Sequence, residues 1–223
     1  MDIVIFGNSE IARCAYEYFT HDSDHTVVAF TVDAQYIGDE KEFLGLPFVP
    51  FEEVEKLYPP KNHGGFVAVG SQKLNRIRTE KYNAMKEKGY DLVSYVSSRA
   101  FVWHDVKIGD NAFILENNTL QTGVEIGDNV TLWSGNHIGH GSKIADHCFI
   151  TSHVVISGLC AIGQSSFIGV NASLAENVTL GADNFICMAA IVAKDAGDNA
   201  FLPPAGKSEE SKITAKRFCK VKD

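Results

Sequence analysis

The sequence predicts two structurally different parts, an α/β part with a small parallel sheet and then an all-β part wound as a parallel β-helix. Short apolar segments alternate with helical apolar patterns over the first hundred residues, which indicates the first part. Beyond them an aliphatic residue recurs at every sixth position, which indicates the second. The predicted domains are residues 1–98 and 99–194, followed by a tail at 195–223.

The first domain is predicted to be a small Rossmann-like βαβ domain. Four strands and two helices are expected, at Ile3–Phe6, Thr26–Asp33, Phe66–Gly70 and Asp91–Val96, and at Ile11–Phe19 and Leu74–Gly89. Alternating strands and helices are typical of a parallel sheet, whose ligand crevice lies at the carboxyl ends of the strands.

The six-residue period runs without a break from Val102 to Val192. The sixteen positions spaced six residues apart over this range are all Ile, Leu or Val. An α-helix cannot keep this step on one face, because 3.6 does not divide six. A chain that turns a corner every six residues can, with its aliphatic side chains stacked inward from coil to coil. Glycine follows six of the aliphatic residues, and we expect it to relieve the corner.

Composition excludes several functional classes. Asp and Glu number 28 against 20 Lys and Arg, a net charge of −8, so a nucleic-acid partner is not expected. The five cysteines contain no CxxC pair, which argues against a disulfide framework and a Cys-rich zinc site. Because no apolar run approaches 18 residues and the start lacks a signal-peptide core, we expect a cytoplasmic protein that does not span a membrane.

Half of the eight histidines lie between Asn136 and Gly158, and they are the candidates for chemistry: His137, His140, His147 and His153. None occupies the inward aliphatic position of a hexad or the small position four residues later. All four are therefore expected at corners or on the outer surface, where a solvated histidine is the alternative to a catalytic one.

The hexad, an aliphatic residue followed by Gly and later by a small residue, resembles the repeat of the left-handed β-helix acyltransferases. With the βαβ half in front, the whole chain resembles the sugar acyltransferases of the PglD and NeuD type. That resemblance implies a homotrimer that transfers an acetyl group from acetyl-CoA to a nucleotide-linked amino sugar, commonly a 4-amino-4,6-dideoxy sugar. It also implies a place in cell-surface polysaccharide biosynthesis.

In the comparison with this family, His140 matches the catalytic histidine, which acts as a general base, and Gly158 matches a family glycine one coil later. An acidic residue directly follows the histidine in the family, but this chain has Gly141 there. The group that orients His140 is therefore open among three residues: Glu116, Asn136 and Asp146.

Acetyl-CoA contacts are implied for His147, Gly158 and Lys207. The family's second histidine, near the thioester, aligns with Phe149 or with its neighbour His147, which is preferred. Lys207 follows a Pro- and Ala-containing turn that resembles the family's CoA-binding end.

Nucleotide contacts are implied for two strand-to-helix turns and for Asp33, at the end of the second strand. The first turn holds Gly7, Asn8 and Ser9, although Glu10 beside them would oppose a phosphate. The second turn contributes Gly70 and Ser71, and the alternative for both is ordinary turn formation.

Three other functions stay open. A zinc site is disfavoured, because the His spacings of three, seven and six residues do not match the close pair of the β-helix carbonic anhydrases, and no metal is predicted. A sugar O-acetyltransferase is a second. A non-catalytic β-helix scaffold is the third, favoured by Gly141 and by the loss of glycines from the first turn.

Overall fold

The computed structural model describes residues 1–206. The α/β half contains five strands, β1 (Asp2–Phe6), β2 (Thr26–Val32), β3 (Glu42–Phe43), β4 (Leu46–Pro50) and β5 (Gly64–Val67). Its helices are α1 (Glu10–His21), α2 (Val54–Leu57) and α3 (Arg76–Glu87), with a 3₁₀ turn at Ala34–Tyr36. The predicted alternation is confirmed, while the elements between residues 34 and 63 were not predicted.

The sheet has the order β3-β4-β2-β1-β5, and all its pairs are parallel except β3 with β4. Helix α1 forms because its apolar residues recur at helical spacing, and Ala12, Ala15 and Phe19 bury that face. Because β1, β2 and β5 run parallel to one another, the turns that follow them meet at one edge of the sheet.

The β-helix has three faces of two-residue strands. The first face comprises Phe101–Val102, Thr119–Leu120, His137–Ile138, Val155–Ile156, Ser173–Leu174 and Ile191–Val192; the second Lys107–Ile108, Glu125–Ile126, Lys143–Ile144, Ala161–Ile162 and Thr179–Leu180; the third Tyr95–Val96, Phe113–Ile114, Thr131–Leu132, Phe149–Ile150, Phe167–Ile168, Phe185–Ile186 and Phe201–Leu202. Each of the sixteen periodic aliphatic residues ends one of these strands. The predicted register is confirmed.

The interior of the coils is one continuous hydrophobic core. Successive strands of a face pair in parallel at a step of 18 residues, as with Leu120 and Ile138. From Ile114 to Val192 the periodic side chains are at most 5% exposed. Cys148 and Cys160 fill two of the small inward positions, and burial raises the pKa of the Cys148 thiol to about 12.

The role predicted for the repeated glycines is wrong. The left-handed residue at most corners stands three places after the aliphatic residue, as at Asn129, rather than one place after it. The glycine of the hexad is required by close stacking instead, because a β-carbon at Gly139 would lie 2.5 Å from the Gly158 nitrogen of the next coil.

Three predicted boundaries in the first half are also corrected. Strand β5 ends at Val67, and α3 begins at Arg76 because Lys73, Leu74 and Asn75 all have positive φ. The predicted strand Asp91–Val96 is divided: Leu92 makes one bridge to Gly65, whereas Tyr95–Val96 pairs with Phe113–Ile114 of the β-helix. The domain limits at 98 and 194 stay a prediction.

Candidate active site

A cleft of about 510 Å³ opens at the carboxyl ends of β1, β2 and β5. Five of the six residues predicted for nucleotide contact line it: Gly7, Asn8, Ser9, Asp33 and Gly70. The sixth, Ser71, lies between Gly70 and the lining residue Gln72, and its carbonyl accepts a hydrogen bond from the Asn75 amide. The sheet topology thus brings these distant residues together.

Gly7 is required by the packing of the first turn. Its φ of 139° is unfavourable for a side chain, and a β-carbon there would lie 2.5 Å from the carbonyl oxygen of Ala68. The turn continues into α1, whose N-cap residue Ser9 makes no side-chain capping hydrogen bond among residues 1–206. The carboxylate of Glu10, the residue after Ser9, lies 3.4 Å from the Arg13 guanidinium, which offsets its charge.

Lys81 is a cleft residue that the sequence prediction missed. Its ammonium lies 2.8 Å from the Asp33 carboxylate and 3.0 Å from that of Glu80, and its side chain is 14% exposed. Although burial opposes it, these hydrogen bonds leave the pKa of Lys81 raised above its ordinary value. The feature that could have identified Lys81 is its position on the helix that follows β5, facing the strand ends.

His140 lies at a corner between the first and second faces of the β-helix and is exposed. Its amide donates a 2.9 Å hydrogen bond to the side-chain oxygen of Gln121, and its carbonyl accepts one from Leu159 at 2.8 Å. The imidazole lies over Gly158, where a β-carbon would approach both ring nitrogens to 2.8 Å. The corner therefore fixes the backbone of His140 and leaves room for the ring.

The three candidates for orienting His140 lie at other corners of the same chain. Glu116 accepts hydrogen bonds from Tyr18 and Ser134, at 2.8 and 2.7 Å. Asn136 is buried and bonded to the backbone of Trp133 and Val154. The carboxylate of Asp146 accepts the Asp128 amide.

The residues predicted to contact acetyl-CoA are placed apart. Gly158 supports His140, whereas His147 faces the α/β domain: its ring packs edge-on against Tyr82, with centroids 5.4 Å apart, and its carbonyl accepts a 2.7 Å hydrogen bond from Arg78. Lys207 lies outside the described residues. The assignments of all these site residues stay predictions.

Metal-binding clusters and membrane-spanning helices are both absent from the part of the chain that the structure describes. No group of three or more His, Cys, Asp or Glu within residues 1–206 is arranged to hold a metal ion. Over the same residues no helix is long and apolar enough to cross a bilayer.

The family model described as bacterial transferase hexapeptide (six repeats) matches residues 105–139 and 123–158. This segment of the chain carries bacterial transferase hexapeptide repeats. The match spans the coils that position Gln121, His140 and Gly158. Curated protein sequences, by contrast, include no match to this chain.

Solved structures share the two-part fold of this hexapeptide-repeat chain. PerB from Caulobacter crescentus, in complex with CoA and GDP-perosamine, has a TM-score of 0.80 at 24% identity, covering 90% of this chain and 93% of that one. The acetyltransferase domain of PglB from Neisseria gonorrhoeae has 0.81 at 20%, covering 92% and 99%. WeeI from Acinetobacter baumannii has 0.60 at 16%, covering 90% and 96%. The predicted fold, an α/β domain followed by a left-handed β-helix, is confirmed.

Proposed function

We propose that this protein is an acetyl-CoA-dependent N-acetyltransferase acting on the amine of a nucleotide-linked amino sugar. The observation that carries the proposal is the exposed imidazole of His140, seated on Gly158 at a hexapeptide-repeat corner. The fold is shared with PerB, solved with CoA and GDP-perosamine, and with the PglB acetyltransferase domain, solved with acetyl coenzyme A.

In the proposed reaction the sugar amine attacks the thioester carbonyl carbon of acetyl-CoA. His140 takes the proton that the nitrogen loses as the C–N bond forms, and the C–S bond then breaks to release the CoA thiol, which takes up that proton. The product is an amide. An exposed imidazole at a fixed corner suits this role, since it must reach a substrate that arrives from outside the coil.

The α/β cleft is proposed to hold the nucleotide. Ser9, the N-cap residue of α1, lines the cleft, and we place the diphosphate at the backbone amides there, with Lys81 supplying a positive charge. Asp33 is proposed to accept hydrogen bonds from the ribose or base.

The two proposed sites lie on different sides of one chain, so we propose that a homotrimer completes the active site. The α/β domain contacts the corners between the second and third faces, as at Asp110 and His147, whereas His140 lies between the first and second. The first face exposes Ile191 at 75%, Phe101 at 53% and Val155 at 45%, three apolar side chains that self-association would bury together with the polar residues between them, Thr119, His137 and Ser173. A neighbouring cleft would then approach His140.

The experiment is thiol release from acetyl-CoA with a panel of UDP-, dTDP- and GDP-linked 4-amino sugars. We expect release with one of them and a loss of about 10²- to 10⁴-fold in kcat for His140→Ala. His104→Ala is the matched control, because His104 is exposed at the same corner two coils earlier, and it should keep wild-type activity.

Three results would change the assignment. Product analysis that finds an ester in place of an amide would make the enzyme a sugar O-acetyltransferase. Full activity of His140→Ala would remove the general base. No release, together with no saturable CoA binding by calorimetry, would favour the non-catalytic scaffold.

As a nucleotide-sugar enzyme, the protein is proposed to act in the cytoplasm in cell-surface polysaccharide biosynthesis.

A further inference from the structure

Strand β5 is the edge of the α/β sheet: on its outer side Gly65 bonds to Asp91 and Val93, and Val67 bonds to one side chain of the β-helix. The amide of Val67 donates to Oδ1 of Asn111 at 2.7 Å, and Nδ2 of Asn111 lies 3.4 Å from the Val67 carbonyl oxygen. Asn111 thus pairs with both backbone groups of Val67, as a neighbouring strand would.

The hydrogen bonds continue along one corner of the β-helix. Nδ2 of Asn111 donates to Oδ1 of Asn129 at 2.8 Å, and Nδ2 of Asn129 lies 3.0 Å from Nδ1 of His147. The three residues occupy the same position of successive coils, with φ of 50°, 56° and 64°. Asn111 and Asn129 are at most 2% exposed, so water does not compete for these bonds.

The direction of the chain is fixed at its first bond. A backbone N–H can only donate, so Oδ1 of Asn111 must face Val67 and Nδ2 must face Asn129. Asn129 therefore accepts with Oδ1 and donates with Nδ2. Nδ1 of His147 must be the acceptor at the end, which requires a neutral ring protonated at Nε2.

The chain ends next to the cleft. Val67 is followed by Ala68 and Val69, which line the cleft, and the Ala68 carbonyl oxygen lies 2.5 Å from the site of a β-carbon on Gly7. The end of β5 and the first turn are therefore in close backbone contact. A shift of Val67 would displace the wall on which Gly7 rests.

We propose that His147 is a positioning residue for the cleft: its neutral imidazole, as the last acceptor of the Val67–Asn111–Asn129 chain, holds the end of β5 in place. Protonation of the ring puts a donor against the Asn129 amide, breaks the chain and weakens binding of a nucleoside diphosphate in the cleft. The positioning rests on the hydrogen bonds alone, and the effect on the nucleotide rests on the proposed function. This role differs from the acetyl-CoA contact predicted from the sequence.

The surroundings of His147 favour the neutral ring. Burial is the largest cause that lowers its pKa from the ordinary 6.5, and the positive charges act in the same direction while the carboxylates oppose. The titratable and charged groups around it come from helix α3 and from the neighbouring turns, and they are Arg76, Arg78, Tyr82, Asp128, Asp146 and Cys148.

Hydrogen exchange of the segment 64–70 in the full-length protein tests the positioning, measured at about pH 5 and pH 8 and corrected for intrinsic rates. His147→Asn keeps an acceptor oxygen near the place of Nδ1, tolerates a positive φ and does not titrate. His147→Leu removes the acceptor. Asn171→Leu is the matched control for backbone strain, because Asn171 has φ 58° and is exposed at another corner.

In the wild type we expect protection of this segment to fall about 2- to 10-fold at the lower pH, the range for one lost hydrogen bond. His147→Asn should keep wild-type protection at both values, His147→Leu should be low at both, and Asn171→Leu should follow the wild type. A pH effect that persists in His147→Asn overturns the proposal. So does a ¹⁵N spectrum of the histidine rings that places the proton of neutral His147 on Nδ1, a readout that needs no variant to fold.

Calorimetry with UDP, dTDP and GDP then tests the consequence for binding. The nucleotide that binds should lose affinity about 2- to 10-fold from pH 8 to pH 5 in the wild type but not in His147→Asn. An equal loss in both proteins contradicts control of the cleft by His147. If none of the three binds, the nucleotide assignment of the proposed function fails, while the exchange result still decides the positioning.

Discussion

The imidazole of His140 lies against Gly158, in the space that a β-carbon on residue 158 would need. Such a β-carbon would lie 2.8 Å from both ring nitrogens of His140. The two residues are 18 positions apart, one full coil. The relationship follows from the register, since equivalent corner residues of successive coils lie directly above one another. A glycine at 158 is therefore what lets the histidine ring lie against the coil.

Gly158→Ala should displace the His140 ring without unfolding the protein. The new methyl group meets a side chain rather than backbone, so the ring can swing aside while the coil stays paired. We expect kcat to fall about 10- to 100-fold, the effect of a misplaced catalytic group, with an unchanged melting temperature. Gly197→Ala is the control, because nothing lies within 4 Å of a β-carbon there. Wild-type kinetics for Gly158→Ala would show that the ring position is not critical.

Lys81→Met should weaken binding of the nucleotide-linked substrate. It removes the positive charge and leaves the Asp33 carboxylate unpaired beside the proposed diphosphate site. A lost charge-assisted hydrogen bond predicts a rise in KM of about 10- to 100-fold with kcat little changed. Lys86→Met is the control from the same helix, since Lys86 pairs with Asp110 outside the cleft. Steady-state kinetics decide, and equal KM values for the two variants would exclude Lys81 from the site.

Protonation of Asp22 should contribute to the loss of folding stability at acidic pH. Hydrogen bonds from Ser98, Tyr95 and Ser97 lower the pKa of Asp22 from 3.8 to about 2. Because the folded-state pKa is the lower one, its stabilisation is complete above pH 3.8 and is lost as the pH falls toward 2. Urea unfolding from about pH 5 to pH 2 should therefore show a shallower loss of stability in Asp22→Asn than in the wild type. The exposed Asp39→Asn serves as control, and parallel curves for wild type and Asp22→Asn would refute the prediction.

Gly7→Ala should destabilise the α/β half by about 1–3 kcal/mol, since it adds strain at φ 139° and a contact with the Ala68 carbonyl oxygen. Gly38→Ala separates the two costs. Gly38 also has a positive φ, 61°, but nothing lies within 4 Å of a β-carbon on it. Denaturant unfolding should show the larger loss for Gly7→Ala. Equal losses would mean that the contact with Ala68 relaxes without cost.

The β-helix was the most predictable part of the molecule. A period of six with an aliphatic residue at each step specifies both the strand ends and the inward side chains, so the repeat alone was enough to place Ile138 and Ile156. The reason for the glycines was not predictable in the same way. Whether Gly139 relieves a corner or admits the next coil depends on the distance to Gly158, which the repeat does not state.

The candidate site divides along the same line. Local periodicity was enough to predict a parallel β-helix and the position of His140 at a corner, and strand direction predicted a crevice at one sheet edge. The choice of Gly7 and Asp33 for that crevice came from the family resemblance. The pairing of Lys81 with Asp33 and the packing of His147 against the α/β domain emerged only from the three-dimensional arrangement. Those contacts join residues dozens of positions apart, and they depend on how helix α3 docks on the coils, which no local pattern encodes.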